Sequence, residues 1–230
     1  IVTNHSDKWT SNVTAKDGVP GVFTYDNNGE EKTIRVNSKG LEINQIATKS
    51  TIGALSANNA MNYHLTSTLL EPLEEANNST NLYVDGDGMQ KAYTEMEHNW
   101  DKAFGYCLNP NDTILLHKYI IQLEKYDIFE QAFYRGREAI VNKDYTKRDE
   151  QATILKNLIA DVLIQKAKDY ITNAVNELFP LHLMSSNTYS DESTAILTGR
   201  AAHNLSEGYG FIYSLQFIQV PGKTYSRDLI

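Results

Sequence analysis

The sequence predicts an all-α protein: a bundle of long antiparallel helices behind a short irregular or hairpin segment. From residue 40 onward, apolar residues recur at three- and four-residue spacings, the period of an amphipathic helix. These stretches are long and parted by short polar turns, the texture of a bundle rather than of sustained coiled-coil heptads. A weak internal repeat points the same way. HNWDKAFGY begins at His98 and HNLSEGYGF begins at His203, with His, Asn and Gly in the same places. Such a repeat suggests equivalent helices in a pseudo-symmetric arrangement.

Residues 1–39 form the N-terminal segment. KDGVPGVFTYDNNGEEKTIRV alternates apolar and polar residues around Asn28-Gly29, a hairpin signal. Residues 40–230 form the bundle domain. Its first helix carries Leu41, Ile43, Ile46, Ile52, Leu55, Met61, Leu65 and Leu69, with a break near Ser56-Ala57-Asn58 and Pro72 helping to end it. NNSTNLYVDGDG is a loop. Its Asp85-Gly86-Asp87-Gly88 looks like part of a calcium loop, but an EF-hand needs Glu where this chain has Ala92 or Thr94. It therefore reads as a solvated turn.

Residues 90–106 have helical spacing. Asn109-Pro110-Asn111-Asp112 is a turn, with Asn111 or Asp112 as N-cap of the next helix, residues 114–142. Polar residues 144–148 start another helix, which Pro180 closes. The last helix covers residues 190–217, starting at Asp191 or Ser193 and stopped by VPGK. Gly208 and Gly210 inside it each cost about 1 kcal/mol against Ala, so they require a packing or ligand reason. Ala103 and Gly105 are the corresponding small residues of the first copy.

Composition narrows the function. A formal charge of -8 with no basic stripe excludes a nucleic-acid phosphate partner and weighs against an anionic membrane surface. The one cysteine, Cys107, allows no intrachain disulfide and no CxxC motif. No apolar run is long enough for a transmembrane segment. The chain opens IVTN without an initiator Met, which suggests a mature form or fragment whose signal and anchor would lie upstream. Phosphate loops, GxGxxG, GxSxG and HExxH are all absent from the sequence.

The chemistry-bearing residues cluster in the two repeat copies. In EMEHNWD, Glu97 and Asp101 are i,i+4 and His98 and Asp101 are i,i+3, so each pair shares a helix face. In the last helix His203 and Glu207 are i,i+4, and Arg200 sits one turn earlier. If the two helices meet, His98, Asp101, His203 and Glu207 form a donor set suited to a divalent ion, zinc, iron or manganese. Glu97, Trp100 and Arg200 would bind ligand or support those donors. The same residues suit ordinary helix hydrogen bonds or ion pairs somewhat better than a metal site, and His-carboxylate acid-base work is a third reading. No catalytic residue is identified.

YTEMEHNWDKAFGY, AHNLSEGYGFIYSLQF and NQIATKSTIGAL resemble the domain of unknown function 4856 family of bacterial envelope lipoproteins, itself similar to the imelysin-like proteins. The resemblance spans residues 40–217. It implies an all-helical bundle, a lipid anchor upstream, and a place in the periplasm or at the outer membrane. Imelysin-like proteins carry a GxHxxE motif associated with metal binding and iron uptake. RAAHNLSE departs from it, with the acid at i+4 and Ala201 where Gly would stand. His203 carries over and Glu207 matches more loosely. The resemblance implies a cell-envelope binding protein for a metal or metal-linked nutrient such as iron or haem. The alternatives are an interaction lipoprotein with an envelope protein partner and no small ligand, and an imelysin-like metallopeptidase, for which no protease constellation is seen.

Overall fold

The computed structural model describes residues 12–16, 18–27, 29–109, 115–183 and 191–220. Among these the chain is mostly helical, with one two-stranded antiparallel sheet. β1 (Gly21–Asp26) and β2 (Glu31–Val36) pair with Phe23 opposite Ile34 and Tyr25 opposite Lys32. This is the expected hairpin. Gly29 supplies the left-handed backbone of its turn at φ 87°, while Asn28 lies outside the described residues.

α1 (Ile43–Thr51) does not break at residues 56–58 as the sequence suggests. The chain instead widens into two π-helical stretches, Ile52–Ala57 and Asn59–His64. Gly53 allows the 3-10 turn Leu215–Phe217 and its preceding Ser214 to come close, since a Cβ there would stand 2.6 Å from the Ser214 Cα. An i→i+5 winding changes which residues share a face: Ile52, Ala57 and Met61 are buried, while Leu55 of the expected stripe is 59% exposed. Pro72 precedes the short helix α2 (Leu73–Ala76) rather than ending the earlier one.

α3 (Glu95–Cys107) starts later than expected because Thr94 caps it. The Thr94 side chain accepts from the Glu97 N–H, and Glu97 accepts from the Thr94 N–H. Met96, Trp100, Ala103 and Cys107 form its buried stripe.

The expected helix over 114–142 is two helices, α4 (Leu115–Gln122) and α5 (Tyr126–Val141). Between them Glu124 takes φ 54°, and the Lys125 N–H donates to the Ile120 carbonyl. No Gly or Pro marks this break, and the apolar period continues across it. α6 (Tyr145–Leu183) runs through Pro180 instead of closing before it. The proline sits three residues from the helix end and forfeits one backbone bond there. α7 (Asp191–Ser214) leads into the 3-10 turn. The Pro110–Asp112 part of the expected turn and residues 221–223 of VPGK lie outside the described residues.

The chain divides into two compact units. The first joins residues 1–50 to 164–213; the second joins 51–163 to 214–230. In the first, the hairpin buries Tyr25, Ile34 and Val36 with Ala15 and Ala202, and Phe23 and Ile196 pack against them. In the second, Trp100 lies against Gly136 of α5 and its indole N–H donates to the Phe133 carbonyl at 2.9 Å. No helix among the described residues is long and apolar enough to cross a membrane.

Candidate functional site

α7 presents Arg200, His203 and Glu207 at i, i+3 and i+7, one face of the helix. In the first unit this face lines a cleft of about 690 Å³, together with Tyr25, Glu42, Gln45, Tyr170 and Glu177. Close packing brings the elements together. A Cβ on Gly210 would stand 2.7 Å from the Lys49 Cβ and 2.8 Å from the Ile46 carbonyl of α1. One on Gly208 would stand 2.9 Å from Ile171 of α6. The two helical glycines thus have the packing reason their sequence position demands.

The polar groups form a chain. Glu42 stands just before α1; its backbone N–H donates to Ser206 Oγ at 2.8 Å, and Ser206 donates to the Ala202 carbonyl. Glu42 is held in register and accepts from His203 Nδ1 at 2.7 Å. The other ring nitrogen, Nε2, is 3.9 Å from Glu207 Oε1. The same Oε1 takes the Lys49 ammonium at 2.7 Å, with both side chains more than nine-tenths buried. The imidazole therefore stands between two carboxylates, one at each nitrogen. A single ion bonds through one ring lone pair, so Glu42 and Glu207 do not chelate it together with His203. Glu42 orients the ring and leaves Nε2 on the Glu207 side.

Burial pulls the His203 pKa down. The hydrogen bond to Glu42 and the charge of Glu207 outweigh it, and the net shift is upward. Burial raises the Tyr25 hydroxyl, and Glu42 adds to this while Arg200 opposes it. Tyr25 lies against Gly199, where a Cβ would meet its ring at 2.6 Å. Arg200 donates from Nη2 to the Asp26 carbonyl at 2.9 Å.

The first repeat copy has other surroundings, in the second unit. His98 stacks on Tyr83 and Tyr93, with centroids 4.0 and 5.4 Å away, and burial lowers its pKa. Glu97 and Asp101 both accept from Arg137 of α5, at 2.6 and 3.2 Å. Trp100 is core. The two copies share helical conformation but not environment: Trp100 is 1% exposed and its counterpart Leu205 42%, and Gly105 faces open space where Gly210 is tightly packed. Among the described residues no three His, Cys, Asp or Glu side chains stand together as a metal site would require.

Asp85 organises the DGDG turn, accepting from the Asp87 and Met89 N–H groups and pairing with Lys91. Cys107 is fully buried, and burial pushes its thiol far above the range of a nucleophile. Glu42 and Lys49 are the site residues that sequence reasoning missed. Both sit in a stretch read as an amphipathic helix, and their partners are more than 150 residues away.

One family model, described as Domain of unknown function (DUF4856), matches residues 2–228, so the chain belongs to that family. No curated protein matches, and no solved structure matches.

Proposed function

We propose that this member of the DUF4856 family is a cell-envelope binding protein, and that its ligand is a metal-linked small nutrient held in the cleft around His203. One observation carries the reading. Buried Glu42 fixes His203 through Nδ1, leaving Nε2 beside Glu207 in a polar cleft. A carboxylate on the far nitrogen is the arrangement that orients a metal-binding imidazole. His203 and Glu207 would hold the ion, whose Lewis acidity would bind the rest of the ligand.

Two donors are too few for a bare ion, which takes about four. An ion that arrives with its own ligands needs only two more, and the cleft has room for them. The link to imelysin-like proteins and the envelope location belong to the same proposal. The observation favouring a purely structural cluster is the Lys49–Glu207 pair, which already neutralises one donor.

Calorimetric titration with zinc ion and with zinc in excess citrate tests the proposal. The citrate complex should bind more tightly than the ion. His203→Ala should abolish saturable binding, and Glu42→Gln should weaken it about 10–100-fold. Equal binding by wild type and His203→Ala would overturn it.

A further inference from the structure

We propose that the second compact unit carries a docking groove, separate from the cleft around His203, for an extended, lysine- or arginine-bearing segment of a partner protein. Its frame is a short hairpin just before α3. The Lys91 N–H donates to the Tyr83 carbonyl at 2.8 Å, and the Asp85 N–H donates to the Met89 carbonyl at 3.1 Å. Tyr83 and Asp85 therefore face the returning strand. The peptide groups of Leu82 and Val84 alternate with them and point to the outer edge, where they have no hydrogen bond among the described residues. The His98 ring stacks on Tyr83 at 4.0 Å and on Tyr93 at 5.4 Å, one tyrosine from each strand. A single side chain of α3 thus ties down both strands, and the open edge is held ready before a partner arrives.

Leu82 and Val84 line a groove of about 550 Å³ together with Leu69, Glu71, Glu75 and Glu95. Its apolar part is open: Leu69 is 61% exposed and Val84 52%. The three glutamates are exposed, and their carboxylates have no hydrogen bond or ion pair among the described residues. No Lys or Arg stands in the lining to balance them. Nor do they stand together as a metal site would require.

These features name one occupant. An edge with free N–H and C=O groups accepts another strand. An added strand turns alternate side chains toward the groove, and the unopposed glutamates select Lys or Arg there while repelling acidic segments. The edge is short and offers few backbone bonds, so the basic side chains carry the selectivity.

Fluorescence anisotropy with the whole chain tests the inference, using a labelled peptide of alternating lysine and valine. It should bind saturably, and more weakly as salt rises. The matching glutamate–valine peptide should not bind. Combining Glu71→Gln, Glu75→Gln and Glu95→Gln, all at exposed positions, should weaken binding about tenfold or more. Methylating alternate amide nitrogens of the lysine peptide keeps its charge but removes its donors to the edge, and should weaken binding about tenfold. Unchanged binding in the triple variant, or by the methylated peptide, overturns the inference. So does equal binding of the glutamate peptide. If spermine binds and the lysine peptide does not, the groove holds a small cation and the partner segment falls.

Discussion

At the scale of single residues, the setting of His203 governs the cleft. Its raised pKa means that folding favours the protonated ring. This stabilisation is fully present below the unfolded value of about 6.5 and is lost as pH rises through the higher folded value. His98 and His64, whose pKa values burial lowers, work in the opposite direction. The difference in melting temperature between wild type and His203→Gln should therefore shrink from pH 6 toward pH 9. Metal at Nε2 must displace that proton, so zinc–citrate affinity should rise with pH and level off above the folded pKa. Lys49 gives a second prediction. Lys49→Met keeps the stem but leaves Glu207 buried without its cation, a loss of about 3–5 kcal/mol. Zinc–citrate should recover more melting temperature in this variant than in wild type. An equal shift would mean that the ion does not engage Glu207. His203, Glu207 and Arg200 were legible in the sequence because they share one helix and a fixed spacing. Glu42 and Lys49 were not, because pairing across 161 and 158 residues leaves no local pattern.

At the scale of elements, the glycines separate packing from propensity. Gly210→Ala should destabilise by about 1–3 kcal/mol, since its Cβ meets the backbone of α1. Gly105→Ala meets nothing and should stabilise by about 0.5–1 kcal/mol through helix propensity. Chemical denaturation of the two variants checks both signs. Had the two repeat copies equivalent packing, the effects would match. The helices themselves are legible from apolar period; the Thr94 cap that sets the start of α3 is not read from the sequence. Nor are the interruptions of the helices. The apolar period runs on across the break at Glu124, the π-helical stretches turn Leu55 of the expected stripe to solvent, and Pro180 lies close enough to its helix end to be tolerated.

At the scale of the whole chain, the sequence places a boundary at residue 39, whereas the compact unit holding the cleft uses residues 1–50 together with 164–213. The hairpin supplies Tyr25 to the cleft and covers Ala202 of α7. A chain beginning at residue 40 should remain helical by circular dichroism yet lose zinc–citrate binding in calorimetry. Ligand is proposed to bind at Nε2 of His203 while Glu42 holds Nδ1. Nitrogen-15 spectra of the histidine side chains during zinc–citrate titration read both nitrogens at once. A large shift is expected at His203 Nε2, with Nδ1 still protonated and His98 unmoved; a spectrum in which His203 does not respond, or in which His98 shifts in its place, would refute this binding mode.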